Sequence, residues 1–398
     1  MMDFIYVDNN ATTQLGAEVA DLMSDAQQQA FANPSSLHYP GRIARKLIED
    51  AREQAATCLS VPPREIIFTS GGTESCHLGI LGILNANPDK RHIVTSAVEH
   101  LSVKSLCEKL QEEDYEVTRL TVNEDGALNL DELSSSIRED TALISLLAAN
   151  HETGVVWPMK EIGEIVASTS ARLHVDAAIA MGWMKVNSAE WHADAVSISG
   201  HKIHGPKGSG LLYLRKGVRL SPLFHGGTQE RARRPGTENT AAIAGLGKAL
   251  EILNGRRDQD AERIRSLRDR FECELLNNVP ECVIHGTRSE RVPNTSNVSF
   301  AYIDGEAILL SLSKAGICVS SGSACSTGMV EPSYVLRAMG QPDSLAHGAI
   351  RFSFSRDNTE ADVDQLLQQL PPVIEQLRAM SPFWKKQTTC PPGECDAQ

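Results

Sequence analysis

Short runs of apolar and β-branched residues alternate with longer helical patterns along the first 215 residues, and this alternation limits the fold more than any other feature. Strands are predicted at EIIFTS (65–70), HIVTSA (92–97), TALISLLAA (141–149), RLHVDA (172–177), AVSISG (195–200) and GLLYLR (210–215), and helices near 72–87, 101–113 and 158–170. Strands separated by helix-length connections form a mostly parallel sheet covered on both faces. The predicted fold class is therefore α/β, with ligands expected outside the carboxyl ends of the strands.

The pattern changes after about residue 236. Residues 237–278 are strongly helical, with a break predicted near Asn254 and Gly255. Further strands and helices follow, among them NVSFAY (297–302), ICVSS (317–321), AIRFSFS (349–355) and a helix near 359–379. We predict a large α/β domain over 14–256, a smaller α+β domain formed by 1–13 and 257–385, and a mobile tail over 386–398.

The composition argues against nucleic-acid and membrane partners. The formal net charge of the 398 residues is -13, and no basic face of the kind that a phosphate backbone requires is visible. No apolar stretch approaches the ~20 residues that span a bilayer, and MMDFIYVDNN lacks the pattern of a signal peptide. The nine cysteines are scattered and odd in number, which favours reduced thiols in the cytoplasm over a disulfide framework.

The segment SISGHKIHGPKGSG (197–210) carries the strongest chemical signal. A predicted strand brings Ser199, His201 and Lys202 to its carboxyl end, and a glycine-rich loop follows. A lysine at that position can form a Schiff base with an aldehyde cofactor, and its polar neighbours can hold a phosphate. The alternative is a surface turn with a solvated lysine.

Two other strand ends carry groups that suit such a cofactor. GGTES (71–75) places Gly72 and Thr73 where backbone N–H groups and the positive end of a helix can cradle a phosphate, although turns of this kind are common. HVDAA (174–178) ends a strand with Asp176, whose carboxylate can keep a pyridine nitrogen protonated. A simple cap of the following segment is the alternative for Asp176.

His100 and Arg351 are further candidates. His100 follows the strand at 92–97 and could lie over a flat ring and transfer protons near neutral pH, although a lone histidine is more often structural. Arg351 lies in an otherwise apolar strand, where an unpaired charge is costly. Its partner is either a substrate α-carboxylate, held by the guanidinium fork, or an aspartate of the chain itself.

Cys325 lies in SSGSACSTG (320–328), a segment with no large apolar residue. Such residues pack poorly, so we expect a mobile loop with a reactive thiol; the alternative is a buried thiol in a turn. A thiol of pKa ~8.5 must be activated to react, and His100 or another cation could do this. The remaining cysteines fit other roles: core positions for Cys58, Cys107 and Cys273, packing for Cys76, and a tail pair too small for structural zinc for Cys390 and Cys395.

A series of motifs in a fixed order resembles the cysteine desulfurases of the NifS and IscS type. The motifs are YVDNNATT (6–13), NPSSLH (33–38), GGTES, VEH (98–100), ANHETG (149–154), HVDA, SGHKIHGPKG, RRPGTEN (233–239), PNTSN (293–297), SSGSACSTG and IRFS (350–353). The resemblance runs from about residue 4 to about 385, and SSGSACSTG with EPSYVLRAMG is most similar to the nitrogenase-associated NifS group. It implies the fold-type I architecture of class V aminotransferase-like enzymes, with a seven-stranded, mostly parallel sheet and pyridoxal 5'-phosphate (PLP) as cofactor.

The resemblance also implies roles for the candidates. Lys202 would bind PLP covalently, Asp176 would face its pyridine nitrogen, and His100 would stack on the ring as acid and base. The cofactor contacts are completed by a group of mostly phosphate-binding residues: Gly72, Thr73, Asn150, Ser199, His201 and, from the second subunit of a homodimer, Thr237.

For the substrate, the resemblance implies that Asn150 and Arg351 hold the carboxylate of L-cysteine. Cys325 would take the sulfur as a persulfide and leave L-alanine. An iron–sulfur scaffold protein would accept this sulfur, for nitrogenase or for general cluster supply. No permanent metal is implied, although Cys325 could bind an iron–sulfur cluster transiently through its persulfide.

Two positions depart from the family pattern. The family usually has glutamine where this chain has Ile179, which cannot donate to the phenolic oxygen of PLP, and asparagine where this chain has His151. We therefore expect altered acid–base behaviour of the cofactor rather than its loss. The alternatives are a selenocysteine lyase, a PLP aminotransferase or β-lyase with an incidental Cys325, and a non-catalytic scaffold.

Overall fold

The computed structural model describes residues 4–321 and 332–384. Cys325 and the tail cysteines therefore lie outside the described residues. The strands are, in chain order, β1 Ile5–Tyr6, β2 Ile66–Thr69, β3 His92–Ser96, β4 Glu116–Leu120, β5 Thr141–Leu147, β6 Arg172–Asp176, β7 Ala195–Ser199, β8 Gly210–Leu214, β9 Cys282–Ile284, β10 Thr295–Phe300, β11 Ile317–Cys318, β12 Ser320–Ser321 and β13 Ala349–Ser353.

Helices connect most of these strands. They are α1 Ala17–Gln29, α2 Tyr39–Leu59, α3 Gly72–Asn85, α4 Leu101–Glu112, α5 Leu130–Ser136, α6 Met159–Ala167, α7 Thr240–Asn278, α8 Gly305–Lys314, α9 Tyr334–Ala338, α10 Asp343–Ala346 and α11 Glu360–Met380. Short 3₁₀ turns cover Pro63–Glu65, Ala180–Gly182, Gly200–Lys202 and Gln229–Ala232.

Seven strands form one sheet in the order β2-β8-β7-β6-β5-β3-β4. Only β8 runs against its neighbours, and the other pairings are parallel. Alternate strand residues enter two different apolar cores: Ile66 and Phe68 pack into one, while Ile67 packs into the other. Both faces are thus covered, which is why the strands other than the edge strand β4 are buried along almost their whole length. The predicted α/β class with a mostly parallel seven-stranded sheet is confirmed.

The carboxyl ends of β2, β3, β6 and β7 meet at one edge of this sheet, because these four strands point the same way. Gly72 opens α3 just after β2, and His100 caps α4 after β3. Asp176 and Ser199 are the last residues of β6 and β7. The sequence motifs that looked functional are therefore brought to a single edge, where α/β sheets bind ligands.

A second, antiparallel sheet has the order β12-β13-β10-β9, and β1 pairs in parallel with β11. Its core contains Phe271, Phe300 and Phe352, joined by Ile5 and Val7 from the start of the chain. β13 carries Arg351 towards the large sheet's site. The domain limits set at 13, 256 and 385 stay predictions.

The long helix α7 corrects one expectation. No break occurs at Asn254 or Gly255, and one helix of 39 residues runs from Thr240 to Asn278. Its first half buries Leu250 in the core of the large sheet, and its second half buries Phe271 in the other core. Packing at both ends outweighs the cost of about 1 kcal/mol that one glycine adds to a helix.

None of the helices within residues 4–321 and 332–384 is long and apolar enough to cross a bilayer.

Candidate active site

A cavity of about 480 Å³ opens at the carboxyl edge of the large sheet. This volume suits a small ligand or cofactor. It is lined by most of the residues singled out in the sequence: Gly72, Thr73, His100, Asp176, Ser199, His201, Lys202 and Arg351. Residues separated by up to 279 positions in the chain are thus gathered around one space, counting from Gly72 to Arg351.

Lys202 ends the 3₁₀ turn that follows β7. Its Nζ donates to the carbonyl oxygen of Ala11 at 2.8 Å and to that of Asn10. The amine is therefore held at the cavity by the N-terminal segment rather than lying free in solvent. Lys202 is thus partly buried and hydrogen-bonded, unlike the solvated lysine of the alternative interpretation.

The start of α3 forms a cradle beside Lys202. Gly71 has φ of 155°, and the helix begins at Gly72 without a side-chain cap, so its first N–H groups need other acceptors. A Cβ at Gly72 would lie 3.2 Å from Cβ of Ser199. The Ser199 hydroxyl is buried and has no partner among the described residues. An unpaired buried hydroxyl is costly, so these groups suit an anionic ligand that accepts from them.

His201 borders the same cradle. Burial, together with Lys202 and Lys207, lowers the pKa of His201 to about 4. Its Nδ1 lies 3.2 Å from Oγ1 of Thr12. The imidazole is therefore neutral at physiological pH and can contact a phosphate only as a hydrogen-bond donor, not as a cation.

Asp176 also lines the cavity and is buried. Its Oδ1 accepts from the backbone N–H of Ala178 at 2.9 Å. Its Oδ2 accepts from the thiol of Cys76, with sulfur and oxygen 3.6 Å apart. The contact with Ala178 agrees with the alternative interpretation, in which Asp176 caps the following segment. The carboxylate nevertheless also lines the cavity.

His100 caps α4, because its Nδ1 accepts from the backbone N–H of Ser102 at 3.1 Å. When neutral, the ring therefore carries its proton on Nε2. Burial lowers the pKa of His100; Lys202 and Arg351 act in the same direction, whereas Asp176 raises it. The ring of His151 packs edge-on against His100, with centroids 5.3 Å apart.

Arg351 has internal partners. Its Nη2 donates to Oδ1 of Asp8 at 2.8 Å, and its Nη1 donates to the carbonyl oxygen of His151 at 3.1 Å. Its Nε is buried and has no partner among the described residues. The aspartate that the sequence left as an alternative is therefore Asp8, yet the guanidinium also lines the cavity.

Two predicted site residues lie elsewhere. Asn150 is not among the residues that line the cavity, because its amide donates to Val98 and its oxygen accepts from the backbone N–H groups of Glu152 and Thr153. Thr237 is exposed and lines a separate cavity with Arg234. The family resemblance implied that Thr237 contacts the cofactor phosphate of the other subunit of a homodimer, not that of its own chain.

The chain is similar to known proteins over most of its length. Residues 5–366 match the aminotransferase class-V family. The chain belongs to the aminotransferase class-V family. A cysteine desulfurase of Trichormus azollae is 49% identical over 382 residues, 96% of each chain. A solved NifS-like protein has a TM-score of 0.88 at 35% identity over 94% of this chain and 100% of its own. A structure of SspA in complex with cysteine has a TM-score of 0.79 at 32% identity over 89% of this chain and 100% of its own.

One polar cluster of this class-V protein contains no residue that the sequence singled out as functional. The hydroxyl of Tyr334 donates to the carbonyl oxygen of Glu99 at 2.6 Å and lies 3.2 Å from Nε2 of His151. Ser333 donates to the buried carboxyl of Glu152 at 2.5 Å, and burial raises the pKa of Glu152 to about 7. The only signal in the sequence was the presence of polar residues within EPSYVLR. Their partners lie about 180 to 235 residues away in the chain.

The described chain reaches the cavity on both sides of residues 322–331. Ser321 and Tyr334 both line it. Cys325 is four positions after Ser321 in the sequence, and four extended residues span at most ~14 Å.

Proposed function

We propose that this chain is a PLP-dependent cysteine desulfurase that takes sulfur from L-cysteine as a persulfide on Cys325. The observation that carries the proposal is the single cavity shared by Lys202, Asp176, His100 and the α3 cradle, with Ser321 at its rim. The similarity to proteins named cysteine desulfurase supports it.

The residues around the cavity fit PLP. Its phosphate would be held by the first N–H groups of α3 at Gly72 and Thr73, by Ser199 and by neutral His201. Lys202 would bind the cofactor covalently through its aldehyde. Asp176 would accept from the pyridine nitrogen. When bound, PLP supplies an aldehyde that condenses with amines and a ring that withdraws electrons from the substrate.

The remaining groups would handle the substrate. Arg351 would hold the α-carboxylate, since a guanidinium has five N–H donors and Asp8 and His151 use only part of them. Lys202 would remove the α-proton. Because burial lowers the pKa of His100, its ring would be neutral and would take the proton of the Cys325 thiol, rather than stay a permanent cation beside the thiolate.

The sulfur transfer is a displacement at the substrate sulfur. The Cys325 thiolate attacks Sγ of cysteine, a sulfur–sulfur bond forms and the substrate carbon–sulfur bond breaks. The carbon keeps the bonding electrons and takes up a proton, so the products are a Cys325 persulfide and L-alanine. No external oxidant is needed.

The test is anaerobic incubation of the holoenzyme with L-cysteine, followed by mass measurement of the Cys325 peptide and assay of the amino-acid product. We expect that peptide to gain one sulfur atom and alanine to appear. Cys325→Ala should bind PLP but form neither product, whereas Cys318→Ala is the matched control and should behave as the parent. Pyruvate or another keto acid in place of alanine, or full desulfuration by Cys325→Ala, would contradict the proposal.

We further propose a homodimer and a cytoplasmic location. Exposed Thr237, which lies outside the cavity of its own chain, would complete the phosphate contacts of a second copy. The six cysteines in the described ranges are free, in keeping with a reducing compartment. The sulfur acceptor would be an iron–sulfur scaffold protein.

A further inference from the structure

Cys76 is buried directly behind the active site. It lies in the first turns of α3, immediately after the GGTES cradle, and its side chain is 1% exposed. Its sulfur is 3.6 Å from Oδ2 of Asp176, a residue 100 positions away at the end of β6. The sequence suggested only a packing role for this cysteine.

The direction of this hydrogen bond is fixed by chemistry. Burial and the neighbouring carboxylate of Asp176 raise the pKa of Cys76 well above its usual range. The thiol therefore keeps its proton and donates it to Oδ2 of Asp176. Oδ1 of Asp176 accepts from Ala178 and Oδ2 accepts from Cys76, so each oxygen has a donor within the protein, while Asp176 itself lines the cavity.

We propose that Cys76 is a positioning residue whose S–H group orients the carboxylate of Asp176 towards the cofactor's pyridine nitrogen. The inference rests on the proposed function, because it takes Asp176 as the partner of that nitrogen. Cys76 does not touch the cofactor or the substrate. It limits the rotation of Asp176 and leaves one face of the carboxylate available to the cavity.

The chain offers a matched control in Cys107. This free cysteine of α4 is fully buried in the same apolar core as Cys76. It has no hydrogen bond with Asp176 in the described structure, and burial raises its pKa to about 12, so it too is a protonated thiol. Like Cys76→Ala, Cys107→Ala removes one buried sulfur atom, but it leaves the contacts of Asp176 unchanged.

The first measurement is the infrared S–H stretching band of the holoenzyme. The band lost in Cys76→Ala should lie at lower frequency than the band lost in Cys107→Ala, because donation to a carboxylate weakens the S–H bond. Asp176→Ala, which leaves both thiols in place, should move the Cys76 band upward and leave the Cys107 band unchanged. If no S–H band moves upward in Asp176→Ala, the inference is overturned, even where Cys76→Ala fails to fold.

The second measurement is a PLP titration followed by visible absorbance. Loss of one hydrogen bond predicts about two- to tenfold weaker binding to Cys76→Ala than to the parent, and unchanged binding to Cys107→Ala. Equal weakening in both variants would mean simple loss of packing and would reject the positioning role. A parent protein that binds no PLP would instead refute the proposed function, so the two failures are distinguishable.

Discussion

Arg351 divides its donors between the protein and the cavity. Nη2 is committed to Asp8 and Nη1 to the carbonyl of His151, while Nε has no partner among the described residues. Because both internal contacts hold the fork in a fixed orientation, a carboxylate entering the cavity meets donors that are already in place. Such preorganisation reduces the entropy lost on binding.

Arg351→Lys should raise the KM for L-cysteine about tenfold or more, since an ammonium cannot bind a carboxylate in two parallel hydrogen bonds while retaining Asp8. PLP binding should be little changed, because the proposed phosphate and ring contacts lie on other residues. Steady-state kinetics and PLP absorbance measure the two effects separately. An unchanged KM would mean that the substrate carboxylate binds elsewhere.

At the scale of single residues, the sequence predicted which side chains reach the cavity better than it predicted their partners. Lys202, Asp176 and His100 follow strand ends, so the fold class alone brings them together. The contact between Arg351 and Asp8 joins residues 343 positions apart, and no local pattern specifies it. Asn150 follows a strand end as well, but its side chain bonds to its own turn.

At the scale of elements, α7 shows that packing can override a local signal. The sequence pattern predicted a break near Gly255, where intrinsic helix propensity is poor. The observed helix continues because it packs against both apolar cores. Strands were easier to predict, since their runs of β-branched and apolar residues have the length and burial of a covered parallel sheet.

Gly255→Ala should stabilise the protein by about 0.5–1 kcal/mol, because alanine loses less conformational freedom in a helix. A Cβ at this position has no heavy atom within 4 Å, so no clash opposes the gain. The change is measured as the free energy of unfolding in urea.

Gly247→Ala is the control in the same helix. Its Cβ would lie 2.6 Å from Cα of Ala51 in α2, where the backbone cannot easily yield. This variant should be destabilised by about 1–3 kcal/mol. Stabilisation of both variants, or of neither, would show that helix propensity and crowding do not act at these sites as argued.

At the scale of the whole molecule, buried histidines and buried carboxyls give stability opposite pH dependences. Burial lowers the pKa of four histidines to about 4, namely His174, His201, His204 and His285. An unfolded histidine has a pKa of ~6.5, so their contribution is complete above that pH and is lost as the pH falls towards 4. The unfolded chain then binds protons that the folded chain does not.

Glu99 and Glu152 act in the reverse sense. Burial raises their pKa values to about 8 and about 7. Relative to an unfolded value of ~4.3, their contribution is complete at low pH and is lost as the pH rises towards the folded values. Between pH ~4.5 and ~6.5, the four histidines change the free energy of unfolding more than the two carboxyls do. Above that range, the change in the free energy of unfolding comes from the carboxyls.

The free energy of unfolding should therefore rise from pH 5 to a maximum near ~6.5 and then decline towards pH 8, with a slope on the acid side of at most about 3 kcal/mol per pH unit. Urea unfolding of the holoenzyme across this range measures it. His285→Asn, which removes a buried histidine that does not line the cavity, should flatten the acid side, whereas the same change at exposed His225 should leave it as steep. A stability that is highest at pH 5 would mean that the carboxyls, not the histidines, dominate the balance.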